Sequence, residues 1–261
     1  MSDKSNKMRA NEELPEFSKN RNLSKKAIEA IEDEASVKVT SLMSALLTGS
    51  VNKLAHTNRW DTFRMIRKEN VAEHAYYVTL YSRILWREYF QKYTGMELVL
   101  DFSLFHDLPE SVAGDIISQF KKINPEMDEM VNDKSINLME MTHRDEGLPS
   151  YITAIIDSYE DAKSTPLNAS ENGAPCAAQI VKLADNMHVV ARLIEEHRMG
   201  NSMAFELLRE SVSPDIKNLY TKWNSIALSG DDEQESMWQM TLAIVYMQLH
   251  FTCMQYINSY S

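Results

Sequence analysis

Four residues pair metal-binding chemistry with apolar surroundings: His74, His106, Asp107 and Asp185. His74 follows Asn70-Val71-Ala72-Glu73, where an N-cap asparagine is followed three residues later by glutamate, a helix-start pattern. It shares a helical face with Val78, Tyr81 and Leu85, so its imidazole points toward the core side. His106-Asp107 ends the apolar stretch LVLDFSLFHD, and Pro109 disfavours helical geometry at Leu108. Asp185 lies inside AAQIVKLADNMHVVARLI, where a carboxylate is costly unless it is paired, solvated or bound to metal. Taken singly, each has a plainer explanation. His74 could be a core histidine with one hydrogen-bond partner, the His-Asp dipeptide is short enough to arise by chance, and Asp185 could sit on a solvent edge beside Lys182. Taken together, they bring two imidazoles and two carboxylates from three helices to one site. That set suits a divalent ion such as Co, Mn, Zn, Ni or Fe. Such an ion with two open positions could hold water and a phosphate oxygen, which is what metal-assisted hydrolysis requires.

Helices must position these residues, and glycine usage supports that. The chain has seven glycines in 261 residues, below the usual share of roughly 7%. Neither GxGxxG nor GxxxxGK[ST] occurs, which excludes glycine-rich phosphate cradles. Gly49, Gly95, Gly147, Gly200 and Gly230 follow helix-periodic stretches, as C-cap glycines do. Asn124-Pro125 and Ser213-Pro214 look like N-caps followed by a first-turn proline. The pattern predicts helices over 37–48, 70–93, 97–107, 125–143, 150–162, 176–199, 203–212, 214–228 and 232–258, and an all-α fold. The last of these is apolar on nearly all sides, as a central core helix or a dimer interface would be. Residues 1–36 are a polar, mixed-charge extension, and residues 37–261 read as one domain. The 163–175 stretch reads as a polar surface loop.

The net charge is −11, which argues against a long nucleic acid or an anionic membrane as partner. Cys176 and Cys253 are the only cysteines, too few for a disulfide framework or a cysteine zinc site. No apolar run reaches the roughly 18–20 residues of a membrane span, and the N-terminus lacks the apolar core of a signal peptide. The chain is therefore expected to be cytoplasmic.

The segments RWDTFRMIRKENVAEHA (59–75), FHDLPESVAGDI (105–116) and IVKLADNM (180–187) resemble the HD-domain metal-dependent phosphohydrolases, and among them the YfbR-like 5′-deoxynucleotidases. The resemblance spans about residues 41–200. It implies an HD-type helical bundle in which His74, His106, Asp107 and Asp185 bind the metal, with Mg added to the candidate ions. It further implies that Glu110 is the catalytic carboxylate, that Arg59 and Trp60 contact phosphate and sugar, and that Lys121 binds phosphate.

The residues themselves are compatible with these roles. Glu110, four residues after His106, could orient a metal-bound water or protonate a leaving 5′-oxygen. Arg59, Arg64, Arg67 and Lys121 could stabilise a phosphoryl transition state, or could form an ordinary basic surface. Trp60 could wall the sugar against a 2′-hydroxyl or simply fill a core. Asp115 could be a further base or a turn carboxylate. The sequence departs from the family's pattern at Leu108-Pro109 and Ile116-Ile117-Ser118, which border the substrate. His143 and His188 are additional histidines that would be needed for a second ion, which nothing else indicates.

The resulting expectation is hydrolysis of the 5′-phosphate of deoxynucleoside monophosphates by a homo-oligomer, a dimer or higher. Two alternatives remain at this stage: a dNTP triphosphohydrolase releasing triphosphate, and a non-catalytic nucleotide-binding regulator on the same scaffold.

Overall fold

The computed structural model describes residues 33, 35–40, 42–43, 46–47, 49–61, 63–114, 150–164, 173–230 and 232–260. The chain divides into two units, Met1–Ser41 and Leu42–Ser261, and the second carries every element named below. In order these are α1 (Ser50–Lys53), β1 (Asn58–Arg59), β2 (Glu69–Asn70), α2 (Val71–Leu85), α3 (Met96–Phe105), α4 (Glu110–Ala113), α5 (Ser150–Ser164), α6 (Ala174–Arg198), α7 (Ser202–Leu207), α8 (Ser213–Ser229) and α9 (Glu233–Asn258). The fold is all-α. Its β1–β2 pair is antiparallel and only two residues long, with Asn58 opposite Asn70 and Arg59 opposite Glu69.

The predicted helices recur within a few residues wherever they are described; that over 125–143 lies outside the described residues. Asn70 caps α2, its side chain accepting the Glu73 amide at 2.8 Å. The buried residues of α2 are Val71, His74, Ala75, Val78, Ser82 and Leu85, one face of a 3.6-residue period. One expected helix break, between 212 and 214, is continuous instead. Wider π turns at Trp86–Phe90 and Leu208–Val212 prolong α2 and join α7 to α8. Before Pro214, which has no N–H to give the helical ladder, the wider turn carries the chain on, and Ser213 is helical instead of an extended cap. Gly95 and Gly49 open helices in extended conformation, whereas Gly200, just beyond α6, has the expected left-handed φ of 101°.

The central element is α6. It packs against α2, α3, α5, α7 and α9, and Ala177, Ile180, Val181, Leu183, Ala184 and Leu193 are fully buried. Gly173 precedes it with φ 70°, and a Cβ there would lie 2.4 Å from the Tyr93 carbonyl oxygen, so only glycine fits. The C-terminal helix α9 is less central than its composition predicts. Leu242, Ala243, Tyr246 and Cys253 are buried, but Met237, Ile244 and Phe251, seven residues apart, are exposed. Both cysteines are free and buried, and burial pushes the Cys176 thiol up to about 12.

One carboxylate ties the connection between β1 and β2 to α6. Glu196, with no exposed surface, accepts the amides of Ile66 (2.7 Å) and Arg67 (2.9 Å) and the Asn201 side chain (2.9 Å). Buried Arg192 pairs with it at 2.8 Å and also donates to the Arg67 carbonyl. Burial alone would raise the Glu196 pKa, but these donors hold it below its ordinary 4.5. Removing one member of a buried pair costs about 3–5 kcal/mol, so Glu196→Ala should lose about that much in urea unfolding. A lowered folded-state pKa stabilises above the ordinary value and loses that contribution as pH falls through the folded value. The gap between wild type and Glu196→Gln should therefore shrink on acidification below 4.5.

Candidate metal centre

Three helices and the β1 strand deliver the predicted residues to one place. His74 comes from the first turn of α2, His106 and Asp107 from the end of α3, and Asp185 from the middle of α6. One donor atom from each of His74, His106 and Asp107 lies within 4.8 Å of the others. His74 Nε2 is 3.3 Å from Asp185 Oδ1 and 3.4 Å from Asp107 Oδ2, and His106 Nε2 is 3.2 Å from Asp107 Oδ1. The imidazoles are dry, at 1% and 5% side-chain exposure, while Asp107 and Asp185 keep 18% and 28%. The cluster thus has a buried histidine wall and a carboxylate side that reaches solvent.

Hydrogen bonding fits this set to a metal ion. His106 Nδ1 lies 2.9 Å from the Ser103 carbonyl oxygen, which can only accept, so the proton resides on Nδ1 and Nε2 keeps its lone pair. Among the described residues, His74 Nε2, His106 Nε2 and Asp185 Oδ1 are buried with no hydrogen-bond partner of acceptable geometry. Buried polar atoms are seldom left in this state, and a shared cation between them would satisfy all three.

Electrostatics favour the forms in which His74, Asp107 and Asp185 could bind a cation. Burial, followed by the charge of Arg59, lowers the His74 pKa, so the ring favours its neutral form. Burial would raise both carboxylates, yet the histidines and Arg59 hold Asp107 below, and Asp185 well below, the usual range. Arg59 donates from Nη1 to Asp107 Oδ2 at 3.3 Å.

The remaining predicted residues have varied placements. Glu110 opens α4, and its amide donates to the Asp107 carbonyl at 3.0 Å, which puts it on the turn that carries the His-Asp pair. Trp60 follows β1 with φ 64°, the one non-glycine residue with positive φ among those described, and its Nε1 donates to Glu69 Oε2 at 3.2 Å. A non-glycine residue in this region costs of order 1–3 kcal/mol and persists where its surroundings enforce it. Arg64 is exposed, and its carbonyl accepts from Asn201. Arg67 pairs with Glu73 and Glu195. Asp115 and Lys121 lie outside the described residues, as does His143.

Other residues border the cluster: His188, which its spacing from Asp185 had already placed near the site, and Glu69 and Tyr159, which the sequence had not singled out. Glu69 (3% exposed) and His188 (4% exposed) lie behind His74. Burial pushes His188 down to about 3, with His74 and Arg59 acting in the same direction. Burial also raises Glu69, against the pull of Arg59 and Trp60. Tyr159 of α5 meets the His106 ring edge-on, with centroids 6.1 Å apart. Burial and then the two aspartates keep its hydroxyl protonated. The one available signal was the spacing of His188 three residues after Asp185.

An all-helical bundle presenting His, His-Asp and Asp from three of its helices is the arrangement of HD-type phosphohydrolases. Its fold is shared with a predicted metal-dependent phosphohydrolase of Magnetospirillum magnetotacticum (TM-score 0.50, 16% identity, 84% of this chain and 96% of that one). The model of the 5′-deoxynucleotidase YfbR-like family matches residues 46–227, and the chain belongs to that family. Among its relatives are 5′-deoxynucleotidases of Pasteurella multocida (26% identical, covering 58% of this chain and 74% of the relative) and Photorhabdus temperata (27% identical, with the same coverage). The match ends before α9.

His106→Ala and Asp185→Ala should each lose bound divalent metal while retaining helical circular dichroism. Loss of a direct ligand should cost more than the roughly 10–100-fold typical of outer partners. Full metal content in either variant, by elemental analysis, would remove that residue from the centre.

Proposed function

We propose that this chain is a cytoplasmic, metal-dependent 5′-deoxynucleotidase converting a deoxynucleoside monophosphate and water into the deoxynucleoside and orthophosphate. The observation that carries this reading is the convergence of two imidazole Nε2 atoms and two carboxylates in a chain of the YfbR-like family. A divalent ion bound here would be held by His74, His106, Asp107 and Asp185, and would supply an acidified water and draw charge from the phosphoryl oxygens. Co, Mn, Zn, Mg, Ni and Fe are the candidates, and loading with each ion in turn identifies the one that supports turnover.

The chain's own residues divide the remaining work. Arg59, held against Asp107, neutralises phosphate charge with a guanidinium whose orientation is already fixed. Glu110 takes the proton of the attacking water and returns it to the departing 5′-oxygen. Trp60, whose backbone is set by the turn after β1, presents its ring to the sugar and disfavours a 2′-hydroxyl. Lys121 and Asp115 retain the phosphate-binding and basic roles expected from the sequence, with Arg64 and Arg67 as outlying basic groups. A homo-oligomer would cover the exposed Met237, Ile244 and Phe251 of α9, and light scattering in solution would read its mass.

A panel of dNMPs, NMPs and dNTPs tests the reaction. Orthophosphate from dNMPs is expected; tripolyphosphate from dNTPs would move the assignment to a triphosphohydrolase, and no hydrolysis with any ion to a binding protein. Glu110→Ala should keep its metal and lose kcat by about 100- to 10,000-fold. Near-wild-type turnover would remove Glu110 from proton transfer. Trp60→Ala should narrow the preference for deoxynucleotides over ribonucleotides.

A further inference from the structure

Behind the proposed ligands lies a buried chain of polar groups with no assigned role. His74 Nδ1 and His188 Nδ1 are 2.8 Å apart, and His188 Nε2 is 3.4 Å from Glu69 Oε1. The other oxygen of that carboxylate, Oε2, accepts Trp60 Nε1–H at 3.2 Å. Glu69, His74 and His188 are at most 4% exposed, so water cannot stand in for any of these contacts. Tyr77 stacks on the His188 ring, 5.0 Å between centroids and 13° from parallel, which fixes the ring plane.

Two ring nitrogens at hydrogen-bonding distance share one proton, so one must donate and the other accept. If His188 were the donor, the lone pair of its Nε2 would face the Glu69 carboxylate, acceptor against acceptor. His74 would then carry its proton on Nε2, the atom that faces Asp107 and Asp185. With the opposite assignment every contact is matched. His188 Nε2–H points to Glu69, His188 Nδ1 accepts from His74 Nδ1–H, and His74 Nε2 keeps a lone pair directed at the cluster.

Building on the metal-centre reading, we propose that Glu69 and His188 are positioning residues. They lock His74 in its Nδ1–H tautomer for metal binding, and the same Glu69 carboxylate holds Trp60, so the metal site and the sugar wall share one buried anchor. A ligand imidazole is commonly fixed by an acceptor on its far nitrogen, and loss of such a partner costs roughly 10–100-fold in metal affinity. Here the acceptor is a second imidazole, itself oriented by a carboxylate.

Cobalt(II) titration of metal-free wild type, His188→Leu, His188→Asn and Glu69→Gln, followed by the visible d–d band, tests this without reference to turnover. His188→Leu should bind cobalt about 10–100-fold more weakly. His188→Asn places an amide oxygen where Nδ1 lies, so it should recover most of that loss. Glu69→Gln cannot accept on both arms, so it should weaken cobalt binding and also reduce discrimination between dNMP and NMP. Wild-type affinity in His188→Leu, or equal loss in His188→Leu and His188→Asn, would overturn the tautomer lock. Unchanged affinity and discrimination in Glu69→Gln would overturn the shared anchor. Wild type that took up no cobalt would instead remove the metal centre itself, and this proposal with it.

Discussion

A carboxylate leaves water only if something else answers its charge, and the site is organised around that constraint. Asp107 and Asp185 both approach His74 Nε2, and Arg59 is the fixed cation that pairs with one of them. The apolar packing of α6 between α2, α3 and α5 is what makes these charges matter. A drier surrounding strengthens each attraction and raises the cost of any atom left unmatched. Helical packing and ligand chemistry are therefore one problem. Residues such as Leu183 and Ala184, which exclude water, also hold Asp185 at the edge where its carboxylate can face the histidines.

A second constraint follows from the first. Arg59, which reaches Asp107 from outside the helices, and Trp60, which is bonded to Glu69, begin a connection with almost no regular structure. Its order comes from two carboxylates. Glu69 holds the Trp60 side chain, and Glu196 gathers the amides of Ile66 and Arg67. The left-handed backbone at Trp60 persists because both ends of the segment are fixed. In this way the rigidity of α6 reaches a surface that hydrogen bonds between β1 and β2 alone could not keep in place.

The four central residues were legible in the sequence because each lies in a locally periodic segment whose pattern shows both helix and face. His74 inherits its inward direction from Val78 and Leu85, and Asp185 stands out by its apolar neighbours. Glu69 and Glu196 were not legible. Their partners are far along the chain, 119 residues from Glu69 to His188 and 129–130 from Glu196 to the amides it accepts, and no local period encodes such pairings. The sequence left the position of α9 open, between a core helix and an interface, for a related reason. Composition reports that a helix is apolar, but not that part of its apolar surface remains uncovered. Likewise, Ser213-Pro214 has the composition of a helix start, while the structure runs through it on a π turn.

The grip of one carboxylate on two consecutive amides also counts residues. Ile66 and Arg67 must be neighbours, and they must stand at a fixed number of positions from Trp60 on one side and Glu69 on the other. The exposed side chains of Ile66 and Lys68 can change without disturbing that count, but adding or deleting one residue would break either the clamp or the alignment of Arg59 with Asp107. The stretch can therefore accept substitution at these two exposed positions but not a change of length.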